Sequence, residues 1–289
     1  MDYKILKIKD KKYPEKLRQI KYPPEKLYYI GNIDLLEKPI FAIVGTRNIT
    51  EYGKKYGKLF STELAKKFVI ISGMAIGVDT IAHKSALEIG GETIAVLGSG
   101  FDNIFPKENV KLFNQIIEKK GLIISEYAPN VIAKSSNFPK RNRIVSGLSD
   151  GILIVEAGHR SGTTITARLA KEQGKNIFVI PGSLDNIYSV GANKLIQEGA
   201  MLVAEIKDII INYPQIINKK WKKANIIPQI KDEYLDIYKM LQNKQMGIEE
   251  LSIKLKNKNI REIANLLTMM EIEDLIVQEI GNGYKIKEI

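Results

Sequence analysis

Residues 41–45 read FAIVG, a short apolar run closed by a glycine. The same grammar returns at FVIIS (68–72), TIAVLG (93–98), LIIS (122–125), GILIVE (151–156), NIFVIP (176–181) and MLVAE (201–205). A strand with one solvated face alternates apolar and polar residues. These runs do not alternate, so each reads as a strand buried on both faces. Longer stretches of helical character separate most of them. From Pro39 to about Asn212 the chain therefore reads as an α/β domain, a mostly parallel sheet covered by helices on both sides. Gly45, Gly73, Gly98 and Gly182 stand just after strands. In such a sheet ligands bind beyond the carboxyl ends of the strands.

The residues at those ends favour anions. Gly45, Thr46 and Arg47 offer a close backbone approach, a hydroxyl and a guanidinium fork for phosphate. A tight turn with an exposed arginine would leave the same trace. Ser72 and Gly73 open a loop that runs through Asp79 into a helix containing His83. Asp79 and His83 are spaced i, i+4, on one helical face. That spacing suits acid–base work or, with no third partner evident, hydrogen bonds that hold the loops. Ser161, Gly162 and Thr163 open another helix, whose N–H groups attract anions; a plain Ser N-cap reads the same way. Glu156 is either a catalytic carboxylate or an acceptor that orients Arg141 and Arg143.

FPKRNRIVSGLS (138–149) puts Lys140, Arg141, Asn142 and Arg143 at the start of an apparent helix, with Pro139 suited to its first position. Phe138 offers a flat face to a base. Taken alone, the segment is a phosphate receptor or a solvated basic turn. It precedes a strand, so it shares the site only if it folds over the same sheet edge.

Composition narrows the classes. There are 44 basic and 33 acidic residues, a formal charge of +11, which suits a polyanion partner. A lysine-rich genome would give the same excess. Cysteine is absent, which excludes disulfides and thiolate chemistry. With two histidines, no conventional metal site is expected. No G-x-x-x-x-G-K-[ST] is present, so neither P-loop ATP hydrolysis nor any cofactor is expected. The N-terminus is too charged for a signal-peptide core. No apolar run approaches the roughly 18 residues of a membrane span, so the expectation is a cytoplasmic protein without membrane contact.

Residues 1–38 read as an extended lead-in with little helix. Residues 213–230 contain YPQ, KKWKK and IPQ and read as a linker. In 231–289 three helical segments precede VQEIGNGYKI, a hairpin with a Gly-Asn-Gly turn. That order is a winged-helix pattern, suited to protein contact or weak DNA binding.

Taken in order, the segments resemble the DNA-processing protein A family (DprA, also called Smf). The matching elements are YP (13–14), AIVGTR (42–47), SGMAIGVDTIAH (72–83), AVLGSG (95–100) and SEY (125–127). They continue with FPKRNRIVSGLS (138–149), VEAGHRSGTTITA (155–167), PGS (181–183) and GANKLIQEGA (191–200). The resemblance implies an extended Rossmann-like fold without enzymatic activity that binds single-stranded DNA, protects it during natural transformation and loads the RecA recombinase on it. It implies a phosphate pocket of Gly45, Thr46, Arg47, Ser72, Gly73, Lys140, Arg141, Asn142, Arg143, Ser161, Gly162 and Thr163, with Phe138 stacking a base. It also implies a homodimer through the end of the sheet domain, where Leu195, Ile196, Met201 and Leu202 form a self-complementary patch or continue the core. Members often carry a helical SAM-like domain first, and the stretch before Tyr13 is too short for it. The rival is a nucleotide-binding protein or hydrolase of the LOG type. Its Gly-Gly-x-Gly-Thr corner reads GHRSGTT here, with Arg160 where a second glycine would stand.

Overall fold

A computed structural model describes residues 2–159, 161–217, 232–241, 244–255, 258–273, 275–279 and 283–286. The described residues fall into two compact units, one ending at 217 and one beginning at 232.

In the larger unit the strands are β1 (Lys4–Lys7), β2 (Lys26–Gly31), β3 (Ile40–Val44), β4 (Val69–Ser72), β5 (Thr93–Leu97), β6 (Leu122–Ser125), β7 (Gly151–Ile154), β8 (Asn176–Val179) and β9 (Met201–Leu202). The helices are α1 (Glu15–Arg18), α2 (Glu51–Ala65), α3 (Val78–Glu88), α4 (Val110–Glu118), α5 (Asn137–Leu148), α6 (Gly162–Glu172), α7 (Val190–Gln197), α8 (Lys207–Ile210) and α9 (Pro214–Ile217). All seven runs read from the sequence are strands. They lie in the order β6-β5-β4-β3-β7-β8-β9, paired in parallel throughout. The fold is α/β and Rossmann-like.

The absence of alternation in these runs has its cause in the packing. On β3, Ile40, Ala42 and Val44 enter one core with Ile144, Val145 and Leu148 of α5 and Ala167 and Ala170 of α6. Phe41 and Ile43 enter the opposite core with Phe60 and Leu64 of α2 and Val78, Ala82 and Ala86 of α3. Successive side chains point to opposite faces, and both faces are covered. Each Ile, Val, Leu or Phe among them contributes about 1.5–3 kcal/mol when fully buried.

Two findings extend the sequence reading. Residues 1–38, read as a lead-in, supply β1 and β2. β2 pairs antiparallel with β6 and β1 with β2, so the sheet has nine strands. On β2, Leu27 and Tyr28 are buried but Lys26 and Gly31 are exposed. This strand, next to the edge strand β1, lacks the run of buried apolar residues that marks the central ones. The second finding concerns Tyr213, the first residue of the stretch read as a linker. It is buried, its ring 5.8 Å from Phe41 and 5.4 Å from Phe68. Its hydroxyl donates to Asp150 O at 3.2 Å. The rest of that stretch from 218 on, KKWKK included, lies outside the described residues.

The smaller unit holds α10 (Leu235–Leu241), β10 (Met246–Gly247), α11 (Ile248–Lys254), α12 (Ile260–Ile272), β11 (Ile276–Glu279) and β12 (Gly283–Ile286). β12 pairs antiparallel with both β10 and β11. Asn259 and Glu262 form a reciprocal capping box at the start of α12, which fixes where that helix begins. The hairpin turn at 280–282 lies outside the described residues. Among the described residues no helix is long and apolar enough to cross a membrane.

The chain runs β3 to β6 in one direction, then returns to place β7 on the other side of β3. The switch point therefore lies between the carboxyl ends of β3 and β7, where a crevice opens.

Candidate nucleic-acid interface

A cleft of about 620 Å³ occupies that crevice. Gly45, Thr46 and Arg47 after β3, Gly73 after β4, Phe138, Arg141 and Asn142 of α5, and Ser161, Gly162 and Thr163 at the start of α6 all line it. Four segments far apart in sequence thus meet at one edge of the sheet. The basic segment does fold over that edge. It is anchored by Asn137, whose Nδ2 donates to Gly98 O at 3.0 Å, and by the Phe138 ring, which packs against Gly98. α5 begins at Asn137, so Pro139 takes the third helical position rather than the first. It is still within the first turn, where a backbone N–H has no helical partner to lose.

The two arginines of the cleft differ in kind. Arg47 is exposed, and its guanidinium lies 5.3 Å above the centre of the Phe138 ring. Phe105, 47 % exposed, tilts against Phe138 at 5.6 Å. A cation beside two aromatic faces is suited to phosphates and stacked bases. Phe105 was missed in the sequence reading. Its available signal was an aromatic in a loop just beyond a strand end.

Arg141 is 3 % exposed. Its Nη1 donates to Gly73 O and Val96 O, and its Nε to Asn142 Oδ1 at 3.1 Å. A Cβ on Gly73 would strike this guanidinium, so the glycine makes room for the arginine. The Gly73 N–H is also committed, donating to Asp79 Oδ2 at 3.1 Å beside Ala75 N–H at 3.2 Å. Gly45 likewise is required because Val78 of α3 packs against it. The glycines read as openings for an anion are openings for the protein's own groups.

Burial pushes Arg141 down to about 10, against the attraction of Asp79 and with the repulsion of Arg47. It remains charged at neutral pH. Burial raises the Asp79 carboxyl, opposed by Arg141 and by the N–H groups it accepts. His83 is buried, and burial followed by repulsion from Arg141 lowers it to about 3. Its Nδ1 lies 2.7 Å from Thr93 Oγ1, which donates to Ile70 O. The ring is neutral and braces strands, while Asp79 ties down the loop after β4. Of the two roles open to this pair, the geometry shows the holding one.

Several residues of the expected pocket lie elsewhere. Ser72 is fully buried beneath the loop and donates to Ile43 O at 2.7 Å. Lys140 is exposed but does not line the cleft. Arg143, two residues from Arg141, leaves α5 on another side and pairs with Glu126 at 2.6 Å. Glu156 does not orient either arginine. It is 1 % exposed and accepts from Thr50 N at 3.0 Å, Thr50 Oγ1 at 2.6 Å and Asn186 Nδ2 at 3.3 Å. It holds the start of α2 in place. Ser161 caps α6 by accepting from Thr164 N at 3.3 Å. Arg160 lies outside the described residues.

At the far end of the sheet, Leu195 and Ile196 of α7 pack partly buried on one core and Met201 on the other, whereas Leu202 is 50 % exposed.

A family model for DNA recombination-mediator protein A matches residues 4–214. The chain belongs to that family. It is 43% identical over 206 residues to the DNA processing protein DprA of Streptococcus pneumoniae, covering 71% of this chain and 73% of the relative. It is equally 43% identical over 201 residues to the Protein Smf of Escherichia coli, covering 69% of this chain but only 54% of that protein's length. Among solved structures, the Streptococcus pneumoniae DNA processing protein A superposes with a TM-score of 0.70 at 42% identity, over 73% of this chain and 74% of that one. A Helicobacter pylori DNA processing protein A, studied for its unique single-stranded DNA binding mode, superposes with a TM-score of 0.66 at 38% identity, over 73% and 95%.

Proposed function

We propose that the cleft at the β3/β7 switch point binds single-stranded DNA without sequence preference. The observation that carries the reading is the exposed Arg47 guanidinium set over Phe138, with Phe105 beside it, at the mouth of a cleft whose floor holds the buried charge of Arg141. Exposed cations take phosphates and the rings take bases, neither of which reads sequence. A duplex keeps its bases stacked inside, out of reach of the rings. The membership in a recombination-mediator family and the single-stranded DNA binding of the Helicobacter pylori relative support this reading. The role is binding without chemistry: Glu156 is buried among its own partners and His83 is neutral.

In the cell, the bound strand is protected and passed to the RecA recombinase during DNA uptake, in the cytoplasm. The working form is a two-fold dimer through the β9 end of the sheet, supported by the short edge strand and the half-exposed Leu202. Two clefts on one strand raise its avidity.

The deciding experiment is a titration of labelled single strands and duplexes by fluorescence anisotropy across a salt series. Single strands are expected to bind more tightly, with a log–log salt slope of about −0.7 per phosphate neutralised. Equal affinity for duplex, or turnover of a nucleotide, overturns the reading. Light scattering should give twice the 32.6 kDa chain mass, and Leu202→Arg should give a folded monomer with weaker binding to long strands.

A further inference from the structure

Arg143 belongs to the same motif as Arg141 yet opens onto a different cavity. A cleft of about 440 Å³, sharing no residue with the DNA cleft, is lined by Lys16, Lys21, Tyr22, Arg143, Gln173 and Lys175. Its size is within the range of small-molecule sites. The charges are not all spent internally. Lys16 is held by Asp150 at 3.2 Å, and Arg143 Nη2 by Glu126 at 2.6 Å. Glu172, the acid among the lining residues, pairs with Arg168 at 3.8 Å. Among the described residues Lys21 and Lys175 make no ion pair. Burial, and then repulsion from Lys16, lowers the Lys175 ammonium, so two cations crowd one side of the cleft.

Two buried polar atoms here have no partner, Arg143 Nη1 and Gln173 Oε1. The Gln173 amide is oriented by its Nε2, which donates to Arg143 O at 3.2 Å. One atom requires an acceptor and the other a donor, and each costs free energy while unmade. Beside them Tyr22 is 71% exposed, with Lys21 Nζ 5.5 Å from its ring centre. Both atoms are closed off from the cleft, so the groups a ligand meets are Lys21, Lys175 and Tyr22. A nucleotide carries an anionic phosphate for the two lysines and a flat base for the ring.

We propose that this cleft is a second nucleotide site, in which Lys21 and Lys175 hold the phosphate and Tyr22 backs the base. The chemistry is the same for a free mononucleotide and for one unit of a strand, and the site stands whether or not the switch-point cleft binds DNA.

The test is isothermal titration calorimetry on the full chain with inorganic phosphate, thymidine 5′-monophosphate and an oligothymidylate. The substitutions are Lys21→Glu and Tyr22→Ala, both at exposed side chains that leave the core intact. For a free mononucleotide, the monophosphate binds about tenfold more tightly than phosphate, and each substitution weakens it about tenfold while Arg47→Ala leaves it unchanged. For a strand, the same two substitutions weaken the oligomer by a similar factor in an Arg47→Ala background. The proposal is overturned if phosphate binds as tightly as the monophosphate. It is overturned equally if Arg47→Ala abolishes monophosphate binding, or if neither Lys21→Glu nor Tyr22→Ala alters the binding of either nucleotide probe.

Discussion

The loop after β3 and the second turn of α5 bring the same charge to the same cleft under opposite conditions. Arg47 stands in solvent above an aromatic ring; Arg141 is buried with its Nη1 bonded to two backbone carbonyls. A guanidinium already committed to carbonyls in the interior is part of the framework, and its remaining influence on a ligand is the field it casts. One in water keeps its donors for the ligand. Two arginines that the sequence reading places in one phosphate pocket therefore divide into a scaffold and a hand.

Removing Arg141 is the strongest way to break this comparison. Arg141→Ala leaves Asp79 buried without its cation, and Gly73 O and Val96 O without their donor. Each buried acceptor left unsatisfied costs about 1–3 kcal/mol, to be read as a drop in the urea midpoint. An Arg141→Ala protein with unchanged midpoint and lost DNA affinity would reverse the assignment. Arg47→Ala should do the opposite: an unchanged midpoint, with about 1.5–3 kcal/mol less binding to single strands and a shallower salt slope. Phe138→Ala should weaken single-strand binding by about 1–3 kcal/mol through lost stacking, with the salt slope preserved.

The smallest effect sharpens the electrostatics beneath the cleft. His83 is neutral when folded, with its affinity for a proton lowered from 6.5 to about 3. In the unfolded chain it takes up a proton below 6.5, so its contribution to stability is lost as pH falls from 6.5 towards 3. The slope is about 1.4 kcal/mol per pH unit. Asp79, raised above 3.8, acts in the other sense: the stability it contributes is present in acid and lost as pH rises through its folded value. The difference in urea midpoint between wild type and His83→Gln, followed from pH 7 to pH 5, isolates the histidine. A constant difference would show that the histidine takes up its proton with the same affinity in the folded and unfolded chain, and so is not held neutral by burial.

By itself the sequence determined the central strands and the corners at their carboxyl ends. Five strands, β3 to β7, are buried along their whole length and announce themselves by unbroken apolar runs, because a strand covered on both faces has no polar position to spare. Gly45, Arg47, Gly73 and Ser161 were legible because they follow such strands. The edge strand β1 and its neighbour β2 were not, since a strand buried in part has no unbroken run. Nor could the sequence separate Arg47, Arg141 and Arg143, which share a residue type and differ in surroundings. Which arginine is wet, which is bonded to carbonyls and which faces another cavity depends on helices packed from distant parts of the chain. Burial and partner geometry set the solvation of each charge, and those were decided only when α5 settled over the ends of β4 and β5.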